Sequence, residues 1–134
     1  MTKKFIFSLA RKEILKLIPY KSARDNFSSN QKKMIMMDAN ENPFENELNR
    51  YPDPMQLKLK KRIAESKKIN LEQIYLGNGS DDVINQLIVA FCRPNVDNIL
   101  ICPPTFGMYE VHANLNLIKS LKVPLNMQFE LDED

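Results

Sequence analysis

Two cysteines, one histidine and no long apolar run mark what this chain is short of, and each shortage removes a class of function. A disulfide framework needs more than Cys92 and Cys102. With no Cys-x-x-Cys pair either, both are expected as buried free thiols in a reducing compartment. His112 would have to anchor any His-based metal site or Ser-His-Asp triad alone, and no partners lie at sensible spacing, so a helix-surface residue is expected. No stretch approaches the ~18 apolar residues that span a bilayer. The Phe5–Ala10 stretch is too short for a signal peptide and is ended by Arg11-Lys12-Glu13. A cytoplasmic protein without membrane contact is the expectation. Charge of one sign is scarce too: the net charge is +2, and no basic tail carries it. The densest basic run, Lys58–Lys68, interleaves Leu57, Leu59, Ile63 and Ala64 with Lys and Arg, which describes one helix with a wet face. It lacks an aromatic stacking platform, so no nucleic-acid partner is expected.

What is present is an ordinary globular composition, 43% hydrophobic and 27% charged over 134 residues, long enough for a domain with a real core. Leu9, Ile14, Leu15 and Ile18 place a helix over Ser8–Ile18, ended by Pro19. Residues 21–33 are polar, with a loop at Ser28–Gln31, and Met34–Met37 reads as a short strand. Pro43, Pro52 and Pro54 forbid a long helix over Asp38–Pro54, and the basic helix follows from Pro54 or Met55 to Lys67. Then the rhythm becomes regular. Strands are expected at 73–76, 98–102 and 118–123, with helices at 81–92 and 106–115 between them. Such alternation indicates βαβ units and a parallel sheet, an α/β fold. Three strands leave an exposed edge that proteins usually pair or cover, so the chain is expected to be part of something larger.

Chemistry concentrates in a few segments. Gly77-Asn78-Gly79-Ser80-Asp81-Asp82 turns an expected strand into a helix whose Val83, Ile84, Leu87, Ile88 and Phe91 share a face. A helix N-terminus offers unpaired N–H groups and a positive dipole end, which suits a phosphate, and Ser80 could cap the helix or donate to a phosphate oxygen. Asp81 and Asp82 favour the same helix end but would repel an anion placed on them. Asp38–Phe44 packs amide and carboxylate side chains into a turn suited to a polar ligand. Asn49-Arg50-Tyr51-Pro52-Asp53-Pro54 holds a Tyr and an Arg rigidly between turn residues. Cys102–Tyr109 delivers Phe106 to the carboxyl end of a strand, where ligand crevices of open α/β sheets lie. Taken alone, each segment has a plain structural reading, and that reading stands first: a capped helix, a turn bonding its own backbone, a Tyr packed on a Pro, a core Phe.

Together, Pro19-Tyr20-Lys21-Ser22-Ala23-Arg24, Asp38-Ala39-Asn40-Glu41-Asn42-Pro43, Asn49-Arg50-Tyr51-Pro52-Asp53, Gly79-Ser80-Asp81-Asp82 and Pro103–Tyr109 resemble the histidinol-phosphate aminotransferase family. They occur in its order and at comparable spacing. The resemblance implies the aspartate-aminotransferase (type I) fold, here an N-terminal arm plus the first βαβαβ part of the large domain, and the cofactor pyridoxal 5'-phosphate (PLP). It implies substrates in the pairs glutamate/2-oxoglutarate and histidinol phosphate/imidazole-acetol phosphate, and a homodimer. By position, Gly79, Ser80 and Asp81 match the cup for the PLP phosphate, and Phe106 matches the aromatic stacked on the pyridine ring. Tyr51 matches a Tyr that reaches the phosphate of the partner subunit's PLP. Tyr20 matches a residue near the substrate imidazole, and Asn40 lies near the substrate amino acid. No catalytic residue is assigned, because no lysine here has the Ser-Lys context of the family's Schiff-base lysine, which lies downstream in relatives. The implied division is an arm at 1–37, a substrate-side turn and basic helix at 38–70, and the start of the PLP-binding domain at 71–134. The chain alone is therefore expected to be inactive and to fold poorly. Sister enzymes acting on aromatic amino acids, threonine-phosphate decarboxylase, and a non-catalytic remnant or binding module remain as alternatives.

Overall fold

The Arg11 backbone interrupts what the apolar spacing predicts as one N-terminal helix. In a computed structural model that describes residues 3–21, 37 and 39–131, helix α1 (Lys3–Leu9) stops there and a short α2 (Lys12–Leu15) restarts. Arg11 is extended (φ −58°, ψ 133°), with its N–H on the Ala90 carbonyl at 2.9 Å and its guanidinium on the Val89 carbonyl at 3.1 Å. Those carbonyls end helix α4 (Gly79–Phe91), where the last turn has acceptors without helical donors and its dipole favours a cation. This tertiary demand overrides local helix propensity. The chain divides into two compact units, residues 1–17 with 76–134 and residues 18–75.

The first unit contains a βαβ element with α4 packed on its helix. Strands β1 (Asn98–Ile101) and β2 (Lys119–Lys122) pair in parallel, Asn98 opposite Lys119 and Ile101 opposite Lys122. Helix α5 (Met108–Leu115) makes the crossover that parallel neighbours require. Pairing continues past the regular ladder, with Val123 donating to Ile101 at 3.0 Å and Leu125 to Pro103 at 2.8 Å. Ile88, Ala113 and Ile118 are buried together, with Ile84, Cys92 and Ile99 packed against them. The loops before the two strands are tied to each other: left-handed Asn95 (φ 59°) donates to the carbonyl of left-handed Leu117 (φ 57°) at 2.8 Å. Arg93 closes its loop by gripping Asp97 through its backbone N–H, Nε and a terminal nitrogen at 2.7–2.9 Å.

Several expectations need correction. The strand predicted over 73–76 is not a strand: Leu71–Gln73 forms a 3₁₀ turn, closed by Asn70 N–H on the Gln73 side-chain carbonyl at 2.9 Å. Ile74 is extended, but among the described residues the sheet holds only β1 and β2, so one βαβ stands where βαβαβ was expected. Local bonds take Gln73, and one edge of β1 is occupied by β2. His112 is not a surface residue by its ring: both ring nitrogens are buried without a partner. Cys92 and Cys102 are free thiols, half-buried rather than buried. Burial raises the Cys92 thiol pKa, reinforced by the Asp97 carboxylate and opposed by Arg11. The Ser28–Gln31 loop, Met34–Met36 of the expected strand, Ser22–Arg24 and Asp38 lie outside the described residues.

In the second unit, helix α3 (Leu57–Lys67) is the predicted basic helix. The Asp53 carboxylate starts it, accepting from the N–H of Met55 at 2.9 Å and of Leu57 at 2.8 Å. Lys68, left-handed at φ 54°, ends it. Among the described residues no helix is long and apolar enough to cross a membrane.

Candidate functional site

The glycine-flanked corner before α4 is built for close approach. A Cβ on Gly77 would lie 2.8 Å from Asp82 Oδ2 and 2.8 Å from Val83 Cγ2, so only glycine lets the incoming chain lie against the first turn. Gly79 serves a different need. Its φ is +85°, a conformation that L side chains avoid, and nothing among the described residues would lie within 4 Å of an added Cβ. The Asp82 carboxylate accepts from the Asn78 N–H at 3.1 Å and ties the corner to the helix. Among the described residues the N-cap Asn78 places no side-chain oxygen on α4, so the N–H groups of its first turn keep their capacity to donate. Ser80 is exposed, its hydroxyl only 3.5 Å from Asp81 Oδ1. The corner thus presents donors with a hydroxyl beside them, and Asp82 is engaged in holding it.

Phe106 follows β1 across Pro103 and Pro104, whose peptide is cis. It is 50% exposed, and its ring meets Tyr109 edge-on, with centroids 6.0 Å apart at 88°. It is not a core Phe. Thr105 and Tyr109 also border an apolar groove of about 390 Å³ along β1, floored by Ile84, Leu87, Ile99 and Ile101. Among the described residues no hydrogen bond or ring contact joins Phe106 to the Gly79–Asp81 corner, although both belong to the first unit.

The two polar turns of the second unit bind each other. Glu41, its side chain only 4% exposed, accepts the Tyr51 N–H at 2.7 Å through Oε1 and pairs with Arg50 at 2.9 Å through Oε2. Arg50 also approaches Glu45 at 3.6 Å. Buried Asn49 donates its amide to the Asn42 carbonyl at 3.3 Å, and Asn42 Oδ1 accepts from Phe44 N–H at 3.0 Å. Tyr51 itself is 65% exposed, Asn40 is exposed, and Tyr20 is 91% exposed. Sequence reasoning gave no individual role to Glu41, Asn49, Asp53 or Arg11. Opposite charges at Glu41 and Arg50, in two turn-rich segments nine residues apart, were the one usable signal for the first of these. Among the described residues no cluster of three His, Cys, Asp or Glu side chains could hold a metal.

Comparison with known proteins adds to this geometry. A protein named histidinol-phosphate aminotransferase from Flavobacterium psychrophilum is 50% identical over 125 residues, 93% of this chain and 36% of the relative. One of the same name from Christiangramia forsetii is 46% identical over 127 residues, covering 95% of this chain and 36% of the relative. Another, from Bacteroides thetaiotaomicron, is 43% identical over 131 residues, covering 98% and 38%. The chain thus spans little more than a third of the length of the curated relatives it matches. The aminotransferase class I and II family matches residues 26–134, a span that takes in both interlocked turns, the corner before α4 and the whole crossover. The chain belongs to the aminotransferase class I and II family.

Proposed function

We propose that this chain is the N-terminal part of a histidinol-phosphate aminotransferase, a PLP-dependent enzyme moving an amino group between glutamate and imidazole-acetol phosphate in histidine biosynthesis. The observation carrying this reading is 43–50% identity to proteins of that name over 93–98% of the chain. The residues present fit PLP: an uncapped first turn, an exposed hydroxyl and an exposed aromatic are the donor and stacking groups that a phosphate and a flat ring need. When bound, PLP supplies the carbonyl that carries the amino group and the ring that accepts electrons.

The chain contributes binding and orientation. The N–H groups of Gly79, Ser80 and Asp81, with the Ser80 hydroxyl, hold the cofactor phosphate against the positive end of α4. Phe106 stacks on the ring. Tyr51, in a homodimer, donates its phenol to the phosphate of the cofactor in the partner subunit. Tyr20 and Asn40 border the substrate, Tyr20 at its imidazole end and Asn40 at its amino-acid end. No lysine of this chain is assigned the covalent role, so the chain by itself should not transaminate. Residues 1–37 serve as the arm, 38–70 as the substrate-side segment and 71–134 as the start of the cofactor domain. The enzyme works in the cytoplasm.

The test is the complete enzyme, purified and scanned for PLP absorbance. It is then assayed for amino transfer from histidinol phosphate to 2-oxoglutarate, with phenylalanine as competitor. Cofactor absorbance with histidinol phosphate preferred supports the reading. Absorbance with phenylalanine preferred would reassign the substrate, and neither absorbance nor transfer would end the proposal.

A further inference from the structure

We propose that Glu41 is the positioning residue for Tyr51: it fixes the segment from which the phenol reaches a cofactor phosphate. This rests on the reading of Tyr51 given above. The two oxygens of one buried carboxylate are spent on consecutive residues, Oε1 on the Tyr51 N–H at 2.7 Å and Oε2 on Arg50 at 2.9 Å. Both contacts close loops of nine or ten residues, so they determine where the Arg50–Tyr51 dipeptide sits. Pro52 restricts the Tyr51 backbone to extended conformations. Beyond it, the Asp53 carboxylate ties the next residues to the start of α3. Tyr51 is therefore held on both sides of its Cα while its ring stays 65% exposed. Only the two side-chain torsions remain free, which is how an exposed phenol can be aimed without being buried. Asn49, buried and bonded to the Asn42 carbonyl, closes the same pair of turns one step upstream. Glu45 touches Arg50 at 3.6 Å but makes no bond to the Tyr51 backbone, and it serves as the internal control.

The experiment is a double-mutant cycle in the complete dimeric holoenzyme, reading the PLP dissociation constant by absorbance titration of the stripped protein. Tyr51→Phe removes the phenol and should weaken PLP about tenfold, the scale of one charge-assisted hydrogen bond. Glu41→Gln keeps the volume and loses the charge that grips Arg50; it should weaken PLP by about threefold or more when Tyr51 is present. In the Tyr51→Phe background the same change should matter less than about twofold, since there is no phenol left to aim. Glu45→Ala should leave the constant unchanged. Equal weakening by Glu41→Gln in both backgrounds, or none in either, would overturn the positioning role. An unchanged constant for Tyr51→Phe would instead bring down the reading of Tyr51, and the proposal with it. Should Glu41→Gln not fold, Glu41→Asp, which draws the carboxylate back by one methylene, completes the same cycle with the same two outcomes.

Discussion

Replacing Gly77 by alanine should destabilise the protein, and the structure fixes both the sign and the reason. In a position free of strain, glycine to alanine stabilises by ~0.4–1 kcal/mol, because the unfolded chain loses freedom. At Gly77 the new methyl would lie 2.8 Å from Val83 Cγ2 and 2.8 Å from Asp82 Oδ2. Asp82 can swing away, but that releases the Asn78 N–H it holds at 3.1 Å, a cap-like bond worth ~0.5–2 kcal/mol. Val83 has less choice. A β-branched side chain in a helix has one strongly preferred rotamer, and pushing it ~30° aside costs ~0.5–1.5 kcal/mol. Taken at mid-range, these costs less the unfolded-state gain leave a net loss of about 1.5 kcal/mol. Urea unfolding should show a lower midpoint with an unchanged slope. Gly79 supplies the contrast. Among the described residues nothing crowds it, and its φ is +85°, so alanine there should cost about 1–2 kcal/mol through the backbone alone, and asparagine less than alanine. If Gly77→Ala proved as stable as the parent, or more so, the close approach at this corner would be refuted.

Other changes separate cofactor contacts from scaffold. If Phe106 stacks on PLP as proposed, Phe106→Ala should weaken PLP binding by ~0.5–1.5 kcal/mol or more, the scale of an aromatic pair, and unchanged affinity in a titration would remove Phe106 from the proposed site. Asp53→Ala should cost ~0.5–2 kcal/mol and speed amide exchange in the first turn of α3; unchanged exchange would mean that its two backbone bonds do not form the cap. The side-chain and backbone bonds from Arg93 lower the Asp97 pKa from 3.8 to about 2. Because the folded value is the lower one, this contribution is complete above the unfolded value and disappears as pH falls toward the folded one. Asp97→Asn should therefore flatten the pH dependence of stability between 3.8 and about 2, whereas an unaltered slope in acid titrations would refute the pairing.

Local pattern carried the second half of the chain well. The helix expected over 81–92 spans Gly79–Phe91, and the strands at 98–102 and 118–123 become Asn98–Ile101 and Lys119–Lys122. These segments combine clear periodicity with turn residues at both ends, so local preference and packing agree. Long-range bonding decided the failures. Nothing near Arg11 announces a break, because the acceptors that cause it are Val89 and Ala90, far along the sequence. Residues 73–76 have a strand's composition, but a strand needs a partner, and among the described residues none is beside them. For His112, helix periodicity could not foresee two buried ring nitrogens without partners, since burial depends on what packs over α5.

The polar segments show why motif strength does not by itself reveal which residues meet a ligand. Asp38–Pro43 and Asn49–Asp53 read as ligand-binding turns because they concentrate amides, carboxylates, an Arg and a Tyr. Much of that polarity is consumed internally: Glu41 by Arg50 and Tyr51, Asn42 by Phe44 and Asn49, Asp53 by the start of α3. At the corner before α4, Asp82 is likewise engaged by Asn78. Two of these groups, Glu41 and Asn49, are buried, where an unmade bond would cost ~1–3 kcal/mol, so their partners are a condition of folding. Among the side chains assigned to the site, Tyr20, Asn40, Tyr51, Ser80 and Phe106 are exposed within their motifs, and Asp81 is half-buried. An exposed phenol on an anchored backbone and an exposed aromatic on a proline-stiffened loop gain little for the fold itself. Side chains held in that way are where binding to a second molecule should be sought first.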